Sequence, residues 1–332
     1  MGRQQTRETV GSGSERRGTP TAASRRGREM VTAAVAALAL VIAACGGGGG
    51  SNNSDANRTL SDVTFGNGTF VTVGKEGRVF SSSDGKKFEA RTSNVGTKDA
   101  PITLNGVAFG AGTFVVVGDE GTIITSPDGV TWSAAASPTD VSLQSVTFAN
   151  TTFVAVGYQG TVATSSDGHA WVTHPTGSLT PLHGVTFGAG QFVAVGDDGQ
   201  VLISPDAVGW TAGVSNTSDT LYSVAFGDGI FVFVGGNGIV GRATDPALWA
   251  SARQMLTTLG DILFDGNQFV LVGFGGGIFT SPDAITFTSR TSNTTADLRA
   301  VTVGDVPSPS RTFVAVGLDG IVRTSPDAVT WN

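Results

Sequence analysis

The sequence predicts an all-β protein, a seven-bladed β-propeller with four antiparallel strands in each blade. A unit of about 40 residues, opened by a leucine, occurs seven times and starts at Leu60, Leu104, Leu143, Leu182, Leu221, Leu259 and Leu298. Glycine occupies 48 positions and only 14% of the residues are charged, which fits many turns and few solvated helix faces. One four-stranded sheet cannot bury both of its own faces, whereas seven sheets packed around an axis can. A β-helical solenoid is the alternative, but the repeat is long for one of its coils.

The residues before the repeats are predicted to export and tether the chain. Residues 1–44 read as a secretory signal, because an arginine-rich start precedes a largely apolar stretch of 14 residues at 31–44, which is too short to span a bilayer comfortably. The sequence IAAC at 42–45 is similar to the lipobox of bacterial lipoproteins. That resemblance implies cleavage before Cys45 and attachment of a diacylglyceryl group to its thiol. Residues 45–59, rich in Gly, Ser and Asn, then predict a lipidated cysteine followed by a flexible tether.

These segments together predict an extracytoplasmic protein of the bacterial cell envelope, lipid-anchored to a membrane. An ordinary signal peptide with an incidental cysteine is the alternative. The stretch SRRGRE at 24–29 leaves the export route open between the general secretory and the twin-arginine pathways. Because the chain has one cysteine, it cannot form an intramolecular disulfide.

Residues 60–332 contain the predicted propeller, and each unit predicts four strands, named a to d from the axis outward. In the second unit, LNGVAF, TFVVVG and TIITS are strands a, b and c, and strand d begins at VTWS. Apolar residues on both faces of strand b predict burial on both sides. Each unit carries one aromatic residue at the start of strand d, and we expect it to pack between blades; the seven are Phe88, Trp132, Trp171, Trp210, Trp249, Phe287 and Trp331.

The sequence leaves open how the ring closes, because the last blade lacks most of its outer strand. The seventh unit ends at Asn332, one residue past Trp331, so its strand d has hardly begun. We expect the segment before Leu60 to supply this strand, although SNNSDANRT at 51–59 has poor strand propensity. A short outer edge is the alternative.

A similar turn joins strands c and d in six of the seven units. The sequences SSDGKKF, SPDGVTW, SSDGHAW, SPDAVGW, SPDAITF and SPDAVTW resemble the Asp-box of BNR and sialidase-type propellers, over residues 60–332. The resemblance implies the fold rather than an activity. An aspartate in such a turn can accept backbone N–H groups, and copies spaced around a ring cannot converge on one substrate. We therefore predict a structural role for Asp84, Asp128, Asp167, Asp206, Asp283 and Asp327.

The seven units differ most in the loops that are predicted to lie on one of the two rims of the propeller. In an antiparallel blade, the a–b turns and the Asp turns share one rim, here called the Asp-turn rim. The b–c turns and the d–a connections share the other, here called the connector rim. Loops on a rigid scaffold commonly carry recognition, and neutral variation of exposed loops is the alternative. The candidate ligand residues are those after the opening leucines, Asn105, Gln144, His183, Tyr222 and Arg299, and those of the b–c turns, Tyr158, Phe274, Asp119, Glu120, Asp197 and Asp198.

Charge and motif content argue against several classes of function. After residue 29, the chain carries 13 basic and 24 acidic residues, a net charge of −11, which disfavours nucleic-acid binding. Sialidases use an arginine cluster and a tyrosine nucleophile, whereas this chain has two tyrosines and scattered arginines. The three histidines, His169, His174 and His183, lack metal-ligand spacing, and no phosphate-binding loop is present. We predict no metal and no cofactor.

The sequence therefore predicts a membrane-anchored, non-catalytic binding or scaffold propeller, expected to be a monomer. Its partner would be a protein or a glycan, recognised through the connector rim. The chain also resembles the photosystem-assembly propellers, which implies a non-enzymatic helper of other proteins. The alternative is a sialidase-like glycoside hydrolase or lyase.

Overall fold

The computed structural model describes residues 58–97, 99–306 and 311–332. In this part of the chain, seven separate antiparallel sheets follow one another, six of four strands and one of three. The predicted seven-bladed β-propeller is thereby confirmed. The predicted signal, Cys45 and residues 46–57 of the predicted tether lie outside the described residues. No helix among the described residues is long and apolar enough to cross a membrane.

The strands occupy the same four places in successive blades. The innermost strands are β1 (Leu60–Gly66), β5 (Leu104–Gly110), β9 (Leu143–Ala149), β13 (Leu182–Gly188), β17 (Leu221–Gly227), β21 (Leu259–Phe264) and β25 (Leu298–Asp305). The second strands are β2 (Thr69–Gly74), β6 (Thr113–Gly118), β10 (Thr152–Gly157), β14 (Gln191–Gly196), β18 (Ile230–Gly235), β22 (Phe269–Gly273) and β26 (Arg311–Gly317). The third strands are β3 (Arg78–Ser82), β7 (Ile123–Ser126), β11 (Val162–Ser165), β15 (Val201–Ser204), β19 (Ile239–Ala243), β23 (Gly277–Ser281) and β27 (Val322–Ser325). The outer strands are β4 (Glu89–Arg91), β8 (Ser133–Ala134), β12 (Val172–His174), β16 (Thr211–Ala212), β20 (Ala250–Arg253) and β24 (Thr288–Arg290).

A single turn of 3-10 helix forms each b–c turn. These turns are Lys75–Gly77, Asp119–Gly121, Tyr158–Gly160, Asp197–Gly199, Gly236–Gly238, Phe274–Gly276 and Leu318–Gly320. The middle residue of each has a positive φ, such as 54° at Glu120 and 54° at Asp198. This left-handed conformation reverses the chain within three residues and places the first residue of the turn beside the start of the inner strand.

A β-bulge interrupts the beginning of every inner strand. In blade 2, Leu104 pairs with Gly118 and Gly106 pairs with Val117, so Asn105 has no partner in the ladder. The same shift follows the opening leucine in the other six blades. A bulge changes the direction in which the neighbouring side chains point. This is why the residues after the opening leucines reach toward the axis.

Buried side chains form seven hydrophobic clusters, one at each blade interface. Each cluster joins strand residues of one blade to those of the next, as between Val71 of blade 1 and Phe114 of blade 2. The cluster that contains Leu60 and Phe70 of blade 1 also contains Val314 and Val316 of blade 7. The first and last blades therefore pack together, and the ring is closed.

The seventh blade has no complete outer strand within the described residues. Asn332 exchanges two backbone hydrogen bonds with Thr324 of β27, at 2.9 and 3.0 Å, where strand d would begin. Of the segment before Leu60, only Arg58 and Thr59 are described, and the Thr59 carbonyl accepts from the Lys75 N–H at 3.0 Å. That the segment before Leu60 completes blade 7 stays a prediction, because residues 51–57 of it lie outside the described residues.

In several blades, a glycine at the end of the inner strand lies in close contact with a phenylalanine of the next blade. A Cβ added at Gly188 would lie 2.0 Å from Cγ of Phe226, on the neighbouring blade. The same arrangement joins Gly110 to Phe148, at 1.9 Å. Each of these phenylalanines also packs at 4.6 Å, ring centre to ring centre, on the next phenylalanine of its own blade.

The Asp turns are closed by side-chain hydrogen bonds. Oδ1 of Asp128 accepts the N–H groups of Val130 and Thr131 at 2.8 and 2.9 Å and the Ser126 hydroxyl at 2.9 Å. The other five predicted aspartates make the same three bonds. In blade 5, Asp245 keeps one of them, to the Ala247 N–H. Every aromatic residue that follows these turns packs within a cluster between two blades.

Candidate functional site

A pocket of about 610 Å³ lies on the ring axis, lined by residues from all seven inner strands. Two b–c turns also contribute to it, which places its mouth on the connector rim. We call it the axial pocket. Its volume falls within the range of sites for small ligands or single side chains.

Seven of the candidate ligand residues line the axial pocket. They are Asn105, Gln144, Tyr158, His183, Tyr222, Phe274 and Arg299. The other four candidates do not line it. Glu120 and Asp198 are exposed at the positive-φ position of their turns, whereas Asp119 and Asp197 are half-buried beside pocket residues.

Three aromatic side chains from consecutive blades form one side of the mouth. The ring of His183 lies 6.3 Å from the ring of Tyr158 and 5.8 Å from that of Tyr222, centre to centre. The tyrosines are 44% and 36% exposed, and they are the two tyrosines of the whole chain. We call these three residues the aromatic arc. Half-exposed aromatic rings at a concave surface are suited to stacking on a ligand.

Polar contacts hold several pocket side chains in place. Asp197 bonds the His183 ring at Nε2, at 2.9 Å. The Asn105 amide donates to Oδ1 of Asp119 and to the Leu143 carbonyl of the next blade, both at 3.0 Å. Asp119 and Asp197 therefore orient pocket residues. Near the mouth, the exposed Arg299 guanidinium lies 5.8 Å from the centre of the Phe274 ring.

Two aspartates in the wall of the pocket were not among the candidates. Asp62 and Asp261 line the pocket and are the third residues of their inner strands. Each comes directly after the position that follows the opening leucine, from which the inner-strand candidates were taken. The corresponding residues elsewhere in the ring are Gly106, Ser145, Gly184, Ser223 and Ala300. Comparison of this third position among the units would have identified both acids.

The protein environment raises the pKa of both carboxyl groups. Burial in the wall, reinforced by the nearby Asp261 carboxylate, raises the pKa of Asp62 to about 7. Burial also raises the pKa of Asp261, although hydrogen bonds from Ser223, Val301 and Ile262 oppose it. Ionisation is costly for acids that are removed from solvent and lie near a second acid. The Asp62 carboxyl is therefore partly protonated near neutral pH.

The described residues contain no cluster of three or more His, Cys, Asp or Glu side chains that could hold a metal ion. The site offers aromatic faces, amides, hydroxyls, one guanidinium and two carboxyl groups around one cavity. Such a set can hold a ligand by stacking, hydrogen bonding and charge.

The fold and this pocket define a seven-bladed β-propeller with an asymmetric pocket on one rim. A family model described as the DUF6242 beta propeller domain matches residues 49–181. Comparison with curated protein sequences gives no match.

Several solved propellers are similar in structure. A structure of YCF48 bound to D1 peptide has a TM-score of 0.65 at 17% identity, over 83% of this chain and 93% of that one. YCF48 from Cyanidioschyzon merolae gives 0.62 at 18% identity, over 80% and 95%. The WD40 beta propeller domain of Doa1 gives 0.60 at 13% identity, over 83% and 96%. At these identities the likeness supports the fold alone.

Proposed function

We propose that this protein is a non-catalytic binding module that recognises a polypeptide through the axial pocket and the surrounding connector rim. The aromatic arc carries this proposal. A chain with two tyrosines places both beside one pocket, half exposed and on either side of a histidine. Tyrosine is enriched where proteins bind each other, because its ring buries a large area at a small cost in conformational entropy.

The similarity to a YCF48 structure that holds a D1 peptide supports a peptide as the type of ligand. A glycan is the second candidate, since the pocket also carries the Asn105 and Gln144 amides and the Ser145 and Ser223 hydroxyls, which suit a hydroxyl-rich ligand. A sialidase-like hydrolase or lyase is the enzymatic alternative.

We further propose that the propeller acts outside the cytoplasm, held to a membrane by a lipid on Cys45. The support is the signal-like segment at 1–44 and the IAAC sequence at 42–45. Residues 46–57 would then separate the propeller from the membrane surface. Metabolic labelling with a fatty-acid analogue, in wild type and Cys45→Ala, tests this part; unchanged labelling of the variant would overturn it.

Binding of defined ligands tests the recognition proposal. The purified protein is presented to arrays of defined peptides and of glycans, and hits are measured in solution. We expect peptide hits whose affinity falls at least about tenfold in Tyr222→Ala. Val130→Ala is the matched control, because it removes an exposed apolar side chain from the Asp-turn rim.

Equal losses in Tyr222→Ala and Val130→Ala would overturn the assignment of the surface. Binding of glycans without peptides would favour the second candidate. Turnover of a sialoside or another glycan would favour the enzymatic alternative.

A further inference from the structure

The two sides of the axial pocket differ in chemistry. The aromatic arc belongs to blades 3, 4 and 5. Across the pocket, blades 6, 7 and 1 present Asp261, Ala300 and Asp62. Successive blades are neighbours around the ring, and blade 7 packs against blade 1. The two aspartates, here called the acid pair, are therefore separated by one blade whose side chain at this place is a methyl group.

Backbone donors fix the orientation of both carboxyl groups. Asp62 accepts the N–H of Val63 at 2.7 Å and that of Val107, on the next blade, at 2.8 Å. Asp261 accepts the Val301 N–H, also on the next blade, at 2.9 Å, and the Ser223 hydroxyl at 2.6 Å. These bonds leave acceptor capacity on each carboxylate, because an ionised carboxylate has about four lone-pair positions. The free positions are available to a ligand in the pocket, which both residues line.

Among the described residues, no lysine or arginine forms an ion pair with either acid. The titratable and charged side chains that line the pocket are Asp62, Asp261, Tyr158, His183, Tyr222 and Arg299. Arg299 lies over Phe274, and His183 is bonded to Asp197. The wall thus carries two fixed acids that form no ion pair, across the pocket from the aromatic arc, and the one arginine of the lining is placed over Phe274.

Building on the function proposed above, we propose that the axial pocket takes the cationic side chain, lysine or arginine, of the bound polypeptide. Its charged end lies against the acid pair and its aliphatic stem lies along the aromatic arc. Both parts of such a side chain find a matching surface, since the stem is apolar and the end is a donor of several hydrogen bonds. The N–H groups of Val107 in blade 2 and Val301 in blade 7 hold the two carboxyl groups in place. The preference for a cationic side chain therefore depends on the packing of neighbouring blades.

Proton release accompanies this binding. A cation favours the ionised form of both acids, so a proton held by the Asp62 carboxyl passes to solvent as the ligand enters. Since the pKa of Asp62 is about 7 in the empty pocket, the affinity for a cation rises with pH. We expect a rise of about tenfold between pH 6 and pH 8.

Three capped tripeptides test the proposal: acetyl-Gly-Lys-Gly-amide, the same peptide with arginine, and the same peptide with norleucine, which lacks only the charged amine. Nuclear magnetic resonance titration of the whole protein follows the Val107 and Val301 amides, which bond to the acid pair. We expect at least one cationic peptide to bind about tenfold or more tightly than the norleucine peptide at pH 8. Equal binding of all three peptides, or no binding of the cationic ones, would overturn the proposal.

Variants of the pocket identify the side chains that bind the cation and cause the pH dependence. Asp62→Asn keeps the shape of the side chain, and we expect it to lower the affinity for the cationic peptide about tenfold at pH 8 and to remove the pH dependence. Persistence of the pH dependence in Asp62→Asn would contradict the assignment to this carboxyl group. Asp198→Asn is the matched control, because it removes a carboxylate from the same rim outside the pocket. If Asp62→Asn does not fold, Asp261→Asn and the lysine–norleucine comparison in wild type decide the question.

These experiments distinguish failure of the cationic side chain from failure of the proposed peptide binding. Peptide hits that depend on Tyr222 but tolerate norleucine in place of lysine or arginine would retain the binding module and reject the cationic side chain. Absence of any peptide binding would reject both.

Discussion

The acid pair should make the folded protein less stable as the pH rises from 5 to 8. The pKa of Asp62 is about 7 in the folded state, against an ordinary value of 3.8. Between these values, the folded protein holds a proton that the unfolded chain has released, so the free energy of unfolding falls as the pH rises. The slope is about 1.4 kcal/mol per pH unit, which gives up to about 3 kcal/mol between pH 5 and pH 8. Asp261, whose pKa burial also raises, acts in the same direction.

Urea unfolding at pH 5, 6, 7 and 8, followed by tryptophan fluorescence, measures this change. Asp62→Asn carries no titrating proton at this position, so its free energy of unfolding should depend on pH much less than that of wild type. Asp198→Asn, on the same rim outside the pocket, should retain the wild-type slope. Stability of the wild type that is constant or rising over this range, or an equal slope in Asp62→Asn, would refute the reasoning.

Further expectations concern the scaffold. Asp128→Ala removes the acceptor of three hydrogen bonds and should lower the free energy of unfolding by about 1–2 kcal/mol in urea titrations, with peptide affinity unchanged; unchanged stability would count against a structural role for the Asp turns. Gly188→Ala places a methyl group against Phe226 and should cost about 1–3 kcal/mol, whereas Gly209→Ala, where a Cβ meets nothing within 4 Å, should cost far less. Hydrogen bonds from the Ala170 and His169 N–H groups lower the pKa of Asp167 to about 2, so its contribution to stability is present above pH 4 and is lost toward pH 2. The melting temperature of Asp167→Asn should therefore fall less than that of wild type over that range, and an equal fall would contradict it.

The fold was predictable because each blade repeats the same local signals. Every opening leucine begins an inner strand in the structure, and the apolar runs typified by TFVVVG form the strands that are buried on both faces. Turn residues agree as well, since Gly112 and Gly129 adopt positive φ between the predicted strands. Because the pattern occurs seven times, an error in assigning one turn does not change the predicted architecture.

Part of the candidate site was also predictable, because the residue after each opening leucine lies in a bulge and reaches the axis. Comparison of the third position of each unit would have singled out Asp62 and Asp261, but not their placement together in a pocket wall, since a single aspartate in a strand ordinarily indicates a solvent-exposed face. The Asp62 carboxylate accepts a hydrogen bond from blade 2 and lies near enough to Asp261 of blade 6 for the charge there to raise its pKa. That proximity is a property of the closed ring and leaves no mark in the local sequence. The supporting roles of Asp119 and Asp197 likewise depend on side-chain directions that spacing does not specify.

The bulge at the start of each inner strand separates the demands of folding from those of the proposed recognition. Residues such as Gln144 and Tyr222 take no part in the ladder, so exchanging their side chains leaves the backbone pairing of the blade intact. Side chains at such positions around one axis can therefore change without altering the strand pairing, and the number of possible combinations grows as a product over the blades. A duplicated gene for this chain could acquire a new ligand by a few substitutions at these places, with the architecture inherited unchanged.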